Sequence, residues 1–211
     1  LDAIDQEVHS KITDSKVPVT DILEGISAAI RYELGPVKVN CVVQRGVNEY
    51  QIPKLVRKFR GTGVIVRFIE FMDVGSTNGW TQGQVVPTSE IIHFLSSEFD
   101  LIPLERESAS DVASRWAHSD GSGEIGFISS VSQPFCGDCV RARLSSNGKF
   151  FTCLFTTTGH DMSALIRSPG EREGLTQSIE EVWSARKDRY SEERSSSAIS
   201  LPRVEMSYIG G

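Results

Sequence analysis

Cysteine is scarce in this chain, with four in 211 residues. So thin a supply excludes the dense disulfide framework of small secreted domains and suits a reducing compartment. No apolar run approaches the ~20 residues that cross a bilayer, so a membrane-spanning class is not expected. No signal peptide is visible at the start. Positive charge is in deficit, 22 Lys and Arg against 28 Asp and Glu, giving a net charge of −6. That balance argues against a general nucleic-acid or membrane-surface binder, while a local basic pocket stays compatible with it. Internal repeats, phosphate-binding glycine loops, Ser-His-Asp arrangements and carboxylate dyads are all lacking. What remains is an ordinary globular composition, long enough for a substantial core in one or two domains.

Three of the four cysteines fall in one stretch, FCGDCVRARLSSNGKFFTCLF, residues 135–155. Cys136, Cys139 and Cys153 form C-x2-C-x13-C. Residues 141–145 and 149–154 read as two strands, and Asn147-Gly148 between them is a hairpin signal because both residues tolerate positive φ. Such a hairpin returns Cys153 to the Cys-x-x-Cys turn. Strand alternation places Arg141 and Arg143 on one face. The expectation is three thiolates at one centre with two guanidinium groups beside it.

Three sulfurs are an informative number. A structural zinc site closes with four ligands. An iron–sulfur cluster on three cysteines keeps one iron open to an outside ligand. Two arginines beside it suit an anionic ligand, since guanidinium forks match phosphate and carboxylate oxygens. A zinc site completed by Cys41 or His160 fits the same spacing, and spacing alone does not separate the two. A disulfide with one spare thiol is the poorer match.

Along the chain, residues 1–18 read as a short polar helix and loop. An amphipathic helix follows, capped by Asp21 with Glu24 reciprocal, carrying Ile22, Ile26, Ala29 and Ile30 on one face, and ended by Gly35-Pro36. Residues 37–43 read as a buried parallel strand, with Cys41 a small buried hydrophobe and Lys38 either at an edge or facing a ligand. Residues 45–48 form a loop at that strand's C-terminal end. A helix at 50–59 and a strand at 64–71 complete a βαβ unit and predict a parallel sheet. Arg67, Glu70 and Met72 lie on or near the end of the second strand.

Residues 73–84 are irregular, and a helix runs from Pro87 to about Ser97. Residues 100–112 are read as a connector. Residues 113–117 and 124–130 form a hairpin around Asp120-Gly121-Ser122-Gly123, with His118 structural or exposed. Past the cysteine hairpin come a short helix at 162–166 and a longer one at 173–191. Arg186, Lys187 and Arg189 there read as a solvated, dipole-favoured helix end. Ser195-Ser196-Ser197 reads as a mobile stretch.

The cysteine segment resembles the C-terminal cluster motif of the MoaA family, the GTP 3′,8-cyclases of molybdenum cofactor biosynthesis. Three further stretches agree in order: VKVNCVVQRGVN at 37–48, VRFIEFMDVGSTNGW at 66–80 and MSYIGG at 206–211. One departure is plain. Members of the family open with a radical-SAM motif, C-x3-C-x2-C, and this sequence contains none. Leu1-Asp2 resembles the end of a strand partway through the family's barrel, so the chain is similar to the later part of a cyclase.

The resemblance implies an α/β fold: the later strands of a radical-SAM (β/α) partial barrel at residues 1–80, then an α+β C-terminal domain at 81–211. It implies that Cys136, Cys139 and Cys153 hold a [4Fe–4S] cluster whose open iron meets the purine of GTP. Lys38, Arg141, Ala142 (through its backbone) and Arg143 would bind GTP, Met72 would face S-adenosylmethionine, and Gly210-Gly211 would thread into the active site. The intact family enzyme adds a second [4Fe–4S] cluster that cleaves S-adenosylmethionine. The 5′-deoxyadenosyl radical takes hydrogen from C3′ of GTP, and the ribose radical attacks C8. An electron donor, a homodimer and a downstream cyclic pyranopterin monophosphate synthase are the implied partners. The implied compartment is the cytoplasm, or an organelle if a targeting segment lies upstream. Without the first cluster the chain is not expected to perform radical chemistry alone, and exposed barrel edges would favour association. A non-catalytic GTP-binding module and a structural zinc protein are the competing classes.

Overall fold

The computed structural model describes residues 1–75, 77–168, 170, 172–194 and 204–209. The chain packs into two compact units. One comprises Leu1–Met72 and Thr81–Pro134, the other Asp73–Trp80 and Phe135–Gly211. Residues 81–134 therefore belong to the first unit.

In the first unit, helices α1 (Gln6–Thr13) and α2 (Val19–Arg31) precede strand β1 (Lys38–Val43). Helix α3 (Ile52–Phe59) then leads to β2 (Ile65–Glu70), and α4 (Thr88–Ser96) leads to β3 (Leu101–Pro103), β4 (Ser114–His118) and β5 (Glu124–Ile128). The sheet order is β1-β2-β5-β4-β3. Strands β1, β2 and β5 run parallel, with Asn40 opposite Arg67 and Arg67 opposite Gly126. Strands β3 and β4 extend it antiparallel. The βαβ reading of β1-α3-β2 thus holds, but the sheet is mixed, because the 120–123 turn sends β4 and β5 in opposite directions. The expected connector at 100–112 contains β3.

Strand β1 buries one face only. Val39, Cys41 and Val43 are enclosed while Lys38 and Asn40 are exposed. Strand β2 matches it with Val66 and Phe68, and β5 with Ile125 and Phe127. The ring of Phe68 stacks on Phe127 with centroids 6.0 Å apart, and Trp116 meets Phe127 edge-on. Leu55, Val56 and Phe59 of α3 and Ile91 and Leu95 of α4 join the same core. Full burial of each such side chain contributes roughly 1.5–3 kcal/mol.

Two helix boundaries differ from expectation. Helix α2 begins after Pro18 with no side-chain cap, and Asp21 lies inside its first turn. Proline needs no capping oxygen to set the entry, because its φ is already fixed. The helix ends before Gly35-Pro36: Glu33 takes a left-handed φ of 55°, and Leu34 N–H returns to the Ala29 carbonyl. That closure satisfies the last carbonyls without the proline.

In the second unit, β6 (Arg143–Leu144), β7 (Lys149–Phe151) and β8 (His160–Asp161) form an antiparallel sheet. Helices α5 (Ser163–Arg167), α6 (Arg172–Ser184) and α7 (Tyr190–Glu193) follow. The single helix expected at 173–191 is two helices with a turn between them. Phe150, Phe151, Met162 and Ile209 supply its buried apolar groups. Asp73, itself buried, accepts Tyr190 Oη–H at 2.6 Å and Arg194 Nε–H at 2.9 Å.

Candidate functional site

Cys136 and Cys139 sit on a tight turn closed by Cys139 N–H to the Cys136 carbonyl at 3.3 Å. Cys153 lies two residues beyond the end of β7, within electrostatic reach of Cys136 and Cys139. The hairpin differs in detail. Arg143 pairs with Phe151 and Leu144 with Phe150, and Ser145 N–H reaches the Lys149 carbonyl. Three residues, 146–148, make the loop, and Gly148 alone takes a positive φ, 87°. The strands are shorter than expected because the polar 141–142 segment gains no cross-strand partner, and the chain bends at Thr152 on leaving Phe151.

All three thiols are free and half-buried. Burial pushes the Cys139 thiol up, yet the backbone N–H and guanidinium of Arg141 donate toward its sulfur, with Arg141 and Arg186 adding positive charge. The net effect holds it below the usual thiol range. Cys153 is raised, first by burial and then by Asp188, Cys136 and Cys139, with Phe155 N–H opposing. Burial lowers Arg143, and the neighbouring Arg141 charge adds to this, while Cys153 and Cys139 pull the other way. The three sulfurs and two guanidinium groups therefore feel one another. Arg141 also lies over the Phe135 ring at 5.1 Å. Neither Arg141 nor Arg143 has a carboxylate partner among the described residues.

No group of three or more His, Cys, Asp or Glu side chains is gathered closely enough to hold a metal ion among the described residues. The donor chemistry nonetheless fits an iron–sulfur cluster: three free thiols, unlinked by disulfide, with Arg141 and Arg186 favouring the thiolate at Cys139. Of the two residues considered as a fourth zinc ligand, Cys41 is wholly buried in the core of the first unit and its thiol is pushed up by burial. His160 lines a cleft with Thr152, Arg186 and Asp188, and Arg186 and Asp188 also line the adjoining cleft of Cys136 and Cys139.

Arg186 was expected at a solvated helix end. Instead helix α6 stops at Ser184 and Arg186 turns inward, its side chain only 12% exposed. It donates to the Cys139 carbonyl at 2.6 Å and the Cys136 carbonyl at 3.3 Å, and lies over the Trp183 ring at 4.6 Å. Helical periodicity hid this residue, and only the C-x2-C turn it serves would have flagged it.

The other expected site residues fall elsewhere. Ala142 is exposed beside its two arginines. Lys38 lies in the first unit, on the polar face of the sheet. It lines a cleft of about 360 Å³ with Arg67, Arg115 and Glu124. Arg67 donates from Nε to Asn40 Oδ1 at 2.8 Å, and Gly126 leaves room for its stem, since a Cβ there would sit 3.0 Å from Arg67 Cγ. Met72, half-buried, ends the segment after β2. Gly210, Gly211 and Ser195-Ser196-Ser197 lie outside the described residues. Just before the glycines, Ile209 is fully buried and Tyr208 accepts Asn147 Nδ2–H at 2.8 Å. His118 is structural: buried, and edge-on to Phe99.

No helix among the described residues is long and apolar enough to cross a membrane. Comparison with known proteins gives a consistent picture. A GTP 3′,8-cyclase of Xanthomonas campestris pv. campestris (strain B100) is 45% identical over 211 residues, covering all of this chain and 62% of the relative. Those of Staphylococcus carnosus and Acidothermus cellulolyticus are 42% and 40% identical, with 63% and 65% of each relative covered. The chain thus spans less than two thirds of their length. Residues 64–192 match the family described as Molybdenum Cofactor Synthesis C, taking in β2, the cysteine turn and Arg186, and the chain belongs to that family.

Proposed function

We propose that this chain is the guanine-nucleotide-binding portion of a GTP 3′,8-cyclase, the enzyme that converts GTP to (8S)-3′,8-cyclo-7,8-dihydroguanosine 5′-triphosphate in molybdopterin biosynthesis. In this reading residues 1–80 end a radical-SAM partial barrel and residues 81–211 form the C-terminal module. The observation that carries it is the pair of guanidinium groups, Arg141 and Arg143, coupled to three free thiols and lacking a carboxylate partner among the described residues. Two cations so placed favour an anion between them.

Cys136, Cys139 and Cys153 would hold a [4Fe–4S] cluster. When bound, such a cluster offers one iron, free of protein ligand, to a donor atom of the purine. Arg141 and Arg143 hold phosphate oxygens, the Ala142 backbone lies between them, and Lys38 adds a further cation. Fixing a nucleotide at base and phosphates is how proximity lowers the barrier to a ring closure within one molecule. Met72 faces S-adenosylmethionine, and Gly210-Gly211, lacking side chains, fit a narrow approach to the substrate. A separate electron donor, a first [4Fe–4S] cluster, a homodimer, a cytoplasmic setting and a downstream cyclic pyranopterin monophosphate synthase complete the reading.

The test is anaerobic reconstitution followed by iron, sulfide and zinc analysis and a GTP titration. About four irons per chain are expected. Arg141→Ala and Arg143→Ala should each weaken GTP binding about tenfold to a hundredfold, the loss of one charge-assisted contact. Zinc in a closed four-ligand site, or an iron-loaded chain that ignores GTP, overturns the proposal.

A further inference from the structure

The turn between α6 and α7 reaches both stretches that carry the cysteines. Arg186 grips the carbonyls of Cys136 and Cys139. Two residues on, Asp188 accepts Thr152 Oγ1–H at 2.6 Å and Thr156 Oγ1–H at 3.5 Å, flanking Cys153 on both sides. Arg186 and Asp188 are themselves paired, Nε to Oδ2 at 3.7 Å. From α7, Glu192 adds a contact to the turn by accepting Gly137 N–H at 3.2 Å. The guanidinium fork suits this task because it spans two acceptors in fixed geometry, and the Trp183 ring beneath it removes its freedom to swing away.

We infer that Arg186 and Asp188 form a positioning pair that fixes the main-chain path of the C-x2-C turn relative to Cys153 and so presets the three-sulfur spacing. What the sulfurs hold rests on the cluster reading above; the pair's action on their spacing does not. Neither residue is a ligand. One holds two carbonyl oxygens and the other holds two threonine hydroxyls, and their ion pair joins the two grips.

Arsenite tests this without iron or sulfide. Arsenous acid condenses with three thiols, forming three As–S bonds and releasing three waters with no change of oxidation state, so its affinity reports how well the sulfurs are preset. The full chain should take up one arsenite and lose three reactive thiols. Arg186→Ala should weaken that uptake about tenfold or more, the scale of one to two lost hydrogen bonds. Arg186→Lys, a point donor without the fork, should recover only part of it, and Asp188→Asn should weaken it less than Arg186→Ala. Lys187→Ala, at an exposed neighbour, should leave it unchanged. Urea midpoints for each variant separate misfolding from lost positioning. Equal arsenite affinity in Arg186→Ala and the parent, or a parent that does not engage three thiols, overturns the inference. A parent that takes arsenite on three thiols but refuses iron would sink the cluster reading and leave this one standing.

Discussion

Ser132 grips both oxygens of the Glu70 carboxylate, its hydroxyl on Oε1 at 2.5 Å and its N–H on Oε2 at 2.8 Å. The same carboxylate accepts Thr88 N–H and Val131 N–H, each at 2.8 Å, and Glu70 is fully buried. It thus ties the end of β2 to the start of α4 and to the 131–132 turn. Glu70→Gln puts an amide NH2 against backbone donors, which should cost about 3 kcal/mol. Urea unfolding measures it, and a loss below about 1 kcal/mol would contradict this account.

Gly148 holds the hairpin at φ 87°, and a Cβ there would lie 2.9 Å from Ser163 Cα. Backbone strain and a backbone clash add, so Gly148→Ala should cost about 1–3 kcal/mol. Hydrogen exchange at the Ser145 amide, which donates to the Lys149 carbonyl across the turn, should speed up accordingly. Unchanged protection at that amide would refute the assigned turn geometry.

The His118 ring is held below its ordinary pKa, by burial first and then by the Arg60 charge, with Asp120 opposing. The unfolded chain protonates this ring near pH ~6.5. Below that value the unfolded state binds more protons than the folded one, so stability falls as pH drops toward the lower folded pKa, then levels off. His118→Phe keeps the edge-on contact with Phe99 and removes the titration. Its urea midpoint should therefore decline less between pH 7 and pH 5.5 than the parent's. Parallel declines would assign the pH dependence to other groups.

Much of the first unit was legible because its periods are clean. Val39, Cys41 and Val43 alternate, Leu55, Val56 and Phe59 recur at helical spacing, and glycines mark the 120–123 turn. Strands β3 and β8 were not legible. They are three and two residues long, and Ile102 and Pro103 are exposed, so neither carries a pattern of its own. In the cysteine segment the spacing pointed to the thiols and arginines. Arg186 stayed hidden because helical spacing runs on through Val182 and Trp183, and nothing local marks the stop at Ser184. Its partners are two carbonyls about fifty positions away, and main-chain oxygens leave no trace in the alphabet of side chains.

That choice of partner has a practical side. A guanidinium gripping carbonyls senses the route of the backbone and is blind to what hangs from it. Asp138, exposed between the two cysteines of the turn, takes no part in the hydrogen bonds that Arg186 makes there. A spin label attached at Asp138 would report on the turn from between its two cysteines, while the carbonyls held by Arg186 keep their partner.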